Sequence, residues 1–357
     1  MSDPNPSLQA PLGAGNQLDE SSIEQRETVG LSQGQIVRKR FFHHKGAVVS
    51  IFVLAFVIVL AFSSVGIHVW GLNTPGWWPW HWNATPPLVN RGIPTLNLIP
   101  GPGFGIGPHP FGQDEIGKDI FALVMRGTQQ SIMIMLLVGL VGTGIGVLIG
   151  ALAGFYRGIG DAILMRFTDV IITIPFIVVG AVIGRSVGAA GLGAAVLGLA
   201  LGLFAWTGLA RLVRGEFLSL REREFIDAAR VSGASDARII FKHILPNAVG
   251  VIIVSATLLM AGAILAETAL SFLGYGVRNP DTSLGLIVAQ NVAAFATRPW
   301  LFWWPGIFII VIALTVNFIG DGLRDAFDPR QKKMPSAKAL SKADARRARA
   351  ARAASTV

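Results

Sequence analysis

The sequence predicts an all-α integral membrane protein with six transmembrane helices. Of its 357 residues, 52% are hydrophobic and only 14% are charged, and the mean hydropathy is +0.56, whereas a soluble domain carries about 25% charged residues. The apolar residues fall in long runs, each able to cross a bilayer. The chain also contains 42 glycines, a residue that lets membrane helices approach closely. These three observations exclude a soluble fold.

The N-terminal part of the chain divides into three segments. Residues 1–35 are polar and acidic, which predicts a disordered tail because such a segment cannot form a core. Residues 36–45 are basic and predict a juxtamembrane anchor. The apolar run that follows predicts the first transmembrane helix at residues 46–66.

Residues 67–126, here called the lid, are rich in tryptophan and proline. The prolines between Pro75 and Pro110 exclude a continuous helix, and tryptophan prefers the membrane–water interface. We therefore expect an irregular external segment that lies on the membrane, with a carbohydrate-binding aromatic platform as the alternative. Its tryptophans are Trp70, Trp77, Trp78, Trp80 and Trp82.

The other five spans are predicted within residues 127–323. Small residues recur every fourth position in two of them, which predicts two smooth faces for helix packing. Pro175 predicts a kink in the third span, residues 161–183. The two small-residue rows are Gly142, Gly146, Gly150 and Gly154, and Ala194, Gly198 and Gly202.

Three ionisable residues within the spans are candidates for translocation or for structure. Arg166 and Asp169 lie one helical turn apart, so they are predicted to pair, with a proton relay as the less favoured alternative. Glu267 is the lone ionised residue of the fifth span. An acid at this depth is a functional candidate, and a hydrogen-bonded structural carboxylate explains it equally well.

Residues 221–246, here called the hook, form the most charged run between two apolar segments. Each charge would cost about 2.5–3.5 kcal/mol at a helix centre in the membrane, so the hook must face water. The pattern predicts a short amphipathic helix, a stop at Gly233, and a second helix capped by Ser235 or Asp236. Pro246 then begins the fifth span. A helix–glycine–helix element between two spans is suited to docking a partner.

The basic residues predict the orientation. They concentrate before the first span, in the polar loop 212–246 and in the tail 324–357, whereas few lie in the alternate connections. By the positive-inside rule, both termini and the hook are cytoplasmic. The net charge of +9 is therefore a topology signal, and we expect no nucleic-acid partner.

Several motifs carry a resemblance to a known family. Asp227-Ala228-Ala229, Gly233 and the closing Leu245-Pro246 resemble the EAA loop of ABC-importer permeases, with Asp227 in place of the usual Glu. His243, in place of the usual Ile, is typical of the peptide and nickel branch.

Further motifs resemble the C subunits of dipeptide and oligopeptide permeases. The segment 112–119 is similar to their external Gly-Thr-Asp-x-x-Gly-Arg-Asp sequence, apart from Gln113 and Lys118. Residues 270–276, which read Leu-Ser-Phe-Leu-Gly-Tyr-Gly, and residues 320–330, which begin Gly-Asp-Gly-Leu-Arg-Asp, match two more family segments. The resemblance covers residues 45–330 apart from the lid.

The resemblance implies a type I ABC-importer permease fold with a cytoplasmic coupling helix, in the plasma (inner) membrane. It implies a peptide-importing subunit that works with a sister permease of the B type, two ATPase domains (D and F type, or one fused ATPase) and an external substrate-binding lipoprotein. ATP and Mg would bind to the ATPases, with no cofactor in this chain. The ATPase-coupling residues that it implies are Glu224, Asp227, Ala228, Ala229, Gly233 and Ala234.

Other classes of function fit less well. The segment 112–119 nearly spells a phosphate-binding loop, but Asp119 replaces the required Ser or Thr and would repel phosphate. The chain has no cysteine and no His-Glu-x-x-His pattern, so we predict no metal site and no enzymatic activity. A passive channel would not need the hook. Within the importer class, a nickel or other small-solute permease is the alternative to a peptide permease.

Overall fold

In a computed structural model, the described part of the chain comprises residues 33–69, 72–97, 105–189 and 193–327. It is a helical bundle with one two-stranded hairpin. The tail predicted at 1–35, except its last residues, lies outside the described residues, as do Trp70 and most of the tail 324–357. The elements are α1 (Gln33–His43), α2 (Lys45–Ser64), β1 (Ile67–Val69), β2 (Leu72–Thr74), α3 (Ile120–Tyr156), α4 (Gly158–Thr173), α5 (Phe176–Ala189), α6 (Gly193–Gly202), α7 (Thr207–Arg221), α8 (Glu224–Val231), α9 (Asp236–Arg238), α10 (Leu245–Phe272), α11 (Leu284–Asn291) and α12 (Trp300–Phe327).

The described helices agree with six membrane spans if each bent helix pair crosses once. Four helices, at residues 45–64, 120–156, 236–272 and 300–327, are long and apolar enough to cross alone. The pair α4–α5 is bent by 76° and the pair α6–α7 by 41°. The first bend falls at the predicted Pro175, where Ile174 takes an extended conformation with ψ 120°, as residues before proline do.

The two small-residue rows pack as predicted. A Cβ on Gly150 would lie 2.5 Å from the carbonyl oxygen of Ala210, so α3 and α7 are in close contact there. On α6, a Cβ on Gly202 would lie 2.8 Å from Cβ of Val141 on α3. α3 therefore forms the centre of the bundle, with α6 and α7 along one side.

The bundle has a lid end and a hook end. At the lid end, Trp78 packs on Phe121 in the first turn of α3, with ring centroids 4.5 Å apart. At the hook end, the Nε2 atom of His44 lies 3.6 Å from an Asp325 oxygen, which brings the start of α2 beside the end of α12. Both chain ends of the described bundle therefore lie on the hook side.

The lid packs on the ends of the helices, and its place relative to the membrane surface stays a prediction. Trp82 is buried, and Phe111 stacks on Trp304 of α12 with centroids 3.9 Å apart. β1 and β2 form an antiparallel hairpin in which Ile67 pairs with Thr74. The aromatic rings pack on the apolar ends of the helices, and this burial stabilises the lid.

The helices of the polar loop 212–246 extend further than the predicted helix–glycine–helix pattern. α7 extends to Arg221, and the hook's second helix is continuous with the fifth span, residues 236–272. The connection is a π-helix at Ile239–Ile244, in which the N–H of Leu245 donates to the oxygen of Ile240. This wider turn accommodates Pro246, which lacks an N–H and would crowd an ordinary α-turn.

Candidate coupling site and its links to the membrane helices

Helix α8 is held to the rest of the structure by one buried side chain. Ile226 is fully buried, whereas its neighbours Phe225 and Asp227 are exposed. A helix of eight residues is too short to be stable alone, so this contact fixes α8 in place. Ile226 packs in a cluster with Phe217, Ile239, Ile240 and Ile244.

The residues predicted to couple to an ATPase lie together on α8 and the turn after it. Glu224, Asp227, Ala228 and Gly233 are exposed, and Ala229 and Ala234 are half-buried. Two large apolar side chains share this surface, since Phe225 is 43% and Val231 is 90% exposed. An exposed apolar surface in a charged segment is typical of a protein-docking site.

The turn after α8 has the geometry expected for a helix stop at glycine. Gly233 has φ +78°, and nothing lies within 4 Å of the position of a Cβ. The N–H of Ala234 donates to the oxygen of Ala229, which closes the helix. Ser235 caps the next helix, where its hydroxyl accepts the N–H of Arg238 at 3.4 Å.

The predicted pair of Arg166 with Asp169 does not form. Asp169 instead accepts from Arg211 on α7 at 2.5 Å. Asp161 on α4 binds Arg214 in two hydrogen bonds of 2.5 and 2.7 Å. Because α7 lies beside α4, the Arg211 guanidinium binds Asp169 in place of Arg166. Sequence spacing cannot reveal which helices are neighbours.

Glu267 lies at a junction of three helices. It is fully buried and accepts from the hydroxyls of Ser131 at 2.9 Å and Ser271 at 2.6 Å. Ser271 contacts Ser283, the N-cap of α11, at 3.0 Å. Both carboxyl oxygens therefore have donors, and this arrangement supports the structural alternative for Glu267.

The motif at residues 112–119 folds around its own polar side chains. Gln113 accepts the N–H of Val89 and donates to Pro87 and Gly117. Asp119 is the N-cap of α3 and accepts from the N–H of Ala122 at 2.8 Å.

The other contacts of Asp119 come from the lid. It accepts from the indole of Trp78 at 2.8 Å and lies 2.9 Å from Nδ1 of His109. Burial raises the pKa of Asp119, and these hydrogen bonds oppose the rise. The motif fastens the lid to the start of α3.

A second polar contact at the lid end was not predicted from the sequence. Arg126 on α3 makes two 2.8 Å hydrogen bonds to Asp281, which precedes α11, and Gln130 donates to the same carboxylate at 2.6 Å. The guanidinium lies 4.7 Å from the ring centre of Trp82. This cluster joins α3, the lid and the segment before α11. Its partners are too far apart in sequence for local spacing to reveal them.

An apolar cavity of about 410 Å³ lies at the two helix breaks. Ile174 and Pro175 line it from one break, and Phe204 and Ala205 from the other. α10 contributes a wall that includes Gly262, where a Cβ would have nothing within 4 Å.

Two family models match the chain. Residues 146–333 match the family described as "Binding-protein-dependent transport system inner membrane component". Residues 32–87 match the "N-terminal TM domain of oligopeptide transport permease C". An inward-facing structure of the MetNI methionine ABC transporter covers 58% of this chain and 96% of its own, at 20% identity and a TM-score of 0.49.

Two curated relatives extend over most of the chain. The oligopeptide transport system permease protein OppC of Mycobacterium tuberculosis H37Rv is 37% identical over 307 residues, 85% of this chain and 97% of its own. OppC of Haemophilus influenzae is 35% identical over 314 residues, 87% and 93% of the two chains. The chain therefore belongs to the family of integral inner-membrane components of binding-protein-dependent transport systems, among the permeases of the oligopeptide permease C type.

Proposed function

We propose that this chain is the C-type permease subunit of an ATP-driven peptide importer and that the hook is its ATPase-coupling element. The observation that carries the proposal is the exposed surface of α8, where Phe225, Asp227, Ala228 and Val231 face outward while Ile226 anchors the helix. The peptide substrate is supported by the relatives, which are named as oligopeptide permeases.

The complex would contain a B-type sister permease, two ATPase domains (D and F type, or fused) and an external substrate-binding lipoprotein. ATP and Mg would bind to the ATPases. The hook and both ends of the bundle would face the cytoplasm, which the basic residues around them support. Closure of the ATPase dimer would push α8 and so change which side of the permease is open.

The experiment is peptide uptake by the complete complex in proteoliposomes. We expect uptake that needs ATP and the binding protein, and an ATPase that co-purifies with the chain in mild detergent. Flux through this chain alone would favour a passive channel, and ATP-driven uptake of nickel without uptake of peptides would favour a nickel permease. Either result would refute the peptide-importer proposal.

Variants of the hook test the coupling role. Gly233→Asp places a Cβ at φ +78°, which strains the turn, and Asp227→Lys reverses a charge on the exposed face. Both should insert normally but lose ATP-driven uptake. The matched control is Gly215→Asp, at an exposed glycine of α7 with open space around it. Normal uptake by both hook variants would exclude the coupling role.

A further inference from the structure

Helix α4 is poorly anchored by apolar contacts. Of its residues, Gly158 to Thr173, Thr168 alone is buried. Its large apolar side chains are turned outward, with Ile159 81%, Ile163 63% and Val170 63% exposed. The hydrophobic burial that fixes other helices in the bundle is therefore nearly missing for α4.

Two ion pairs connect α4 to α7. Asp161 and Asp169 lie eight positions apart, so they share one face of α4. They bind Arg214 and Arg211 respectively. The Asp161 side chain is only 14% exposed and its contact with Arg214 is bidentate, so this pair is stronger than an ordinary surface ion pair.

Helix α7 leads directly into the hook. It ends at Arg221, and α8 begins at Glu224. Phe217 of α7 packs in the same buried cluster as Ile226 of α8. Glu222, between the two helices, accepts from Arg157, the residue just before α4. A displacement of α8 is therefore passed to α7 and to the start of α4.

The far ends of α4 and α7 reach the same cavity. α4 ends at the 76° break beside Pro175, and α7 begins after the 41° break. Residues of both breaks line the apolar cavity of about 410 Å³. The breaks supply places where the backbone can bend, and the cavity supplies room for that movement.

We infer that Arg214 and Arg211, through Asp161 and Asp169, are positioning residues that make α4 follow the hook during transport. The inference rests on the proposed coupling role of the hook. Because few apolar side chains of α4 are buried, these two pairs hold it beside α7, together with the stacking of Phe167 on Trp206 just before α7. A shift of α7 moves α4 about its break at Pro175 and changes the cavity between them.

Uptake measurements test the two pairs in the complete complex. In the double variant Asp161→Asn with Asp169→Asn, we expect about a tenfold drop in peptide taken up per ATP hydrolysed, in the usual range for coupling between sites, with ATP hydrolysis retained. The charge exchange Asp161→Arg with Arg214→Asp, made in the Asp169→Asn background, should recover much of the loss because it restores one of the two pairs. The control is Glu216→Gln, which removes a carboxylate of α7 outside these two pairs.

Distance measurements test the movement without depending on the solute. The chain has no cysteine, so paired spin labels can be placed at Ile163 of α4 and Leu140 of α3, or at Leu212 of α7 and Leu140. In the wild-type complex, both distances should change between the nucleotide-free and ATP-bound states. In the double Asn variant, the change should persist for Leu212 and disappear for Ile163.

The outcomes separate the two claims. If α4 still moves with α7 in the double variant, or if uptake per ATP is unchanged, the inference is wrong even though the importer is confirmed. If the wild-type complex transports no peptide but the ion pairs still govern the movement of α4, the proposed substrate fails and the inference stands. If neither helix moves with nucleotide in the wild type, both the hook's coupling role and the inference are refuted.

Discussion

The most direct test of the hook's structure is Ile226→Ala. Ile226 is fully buried in the cluster that holds α8. Its truncation removes three carbons, which at about 0.8 kcal/mol each amounts to about 2.4 kcal/mol, and a residual cavity brings the cost to about 3 kcal/mol, within the usual range for this substitution. The undocked population of α8 should then rise on the order of 100-fold.

The assay is hydrogen exchange of residues 222–235 in the intact complex, followed by ATP-driven uptake. We expect faster exchange of α8 in Ile226→Ala, with the exchange of α3 unchanged, because the loss is local. Leu212→Ala is the matched control, since it removes the same number of carbons from a side chain of α7 that is 44% exposed and lies outside the surface of α8 proposed to bind the ATPase. If the hook of Ile226→Ala were as protected as that of the wild type, the anchoring argument would be refuted.

Three further predictions concern the bundle and the lid. Gly150→Val should markedly lower the melting temperature of the purified complex, since its Cβ would lie 2.5 Å from the oxygen of Ala210, and an unchanged melting temperature would contradict the close α3–α7 contact. Arg126→Gln leaves the Asp281 carboxylate without its cation and should destabilise the lid by about 2–4 kcal/mol, measured as increased protease sensitivity. Adding Asp281→Asn should restore part of this stability, and equal sensitivity of the single and double variants would argue against the pair. Partial loss of hydration, with the nearby His68 and Arg126, lowers the pKa of His81 from 6.5, so the fold favours the neutral ring. The lid should therefore lose a little stability as the pH falls below 6.5, a small effect because the ring is exposed. His81→Gln should reduce this dependence in tryptophan-fluorescence titrations.

The motif at residues 112–119 shows how far sequence reasoning reaches. The motif resembles a phosphate-binding loop, but Asp119 argues against phosphate binding because a carboxylate repels phosphate. The residues that Asp119 contacts could not be foreseen, because Trp78 and His109 come from the lid, which has no periodic pattern. The chemical identity of a side chain can exclude a kind of binding site. The residues that it contacts depend on how an irregular segment such as the lid folds.

The sequence by itself determined the membrane class, the two glycine faces, the break at Pro175 and the stop at Gly233. Each of these follows from local free energies: the transfer of apolar runs into lipid, the absence of a Cβ, the missing N–H of proline and the tolerance of glycine for positive φ. They require no knowledge of distant residues.

Only the tertiary structure decided the long-range polar pairs. Asp169 has a candidate partner one turn away, yet it binds Arg211, and Arg126 binds Asp281 across the lid end. A charged side chain pairs with the partner that packing brings closest, and that choice depends on which helices lie side by side. Packing also set where α7 ends and made the hook continuous with α10. Phe217, Ile239 and Ile244 lie in one buried cluster, which stabilises helix in a segment whose charged residues had predicted a loop.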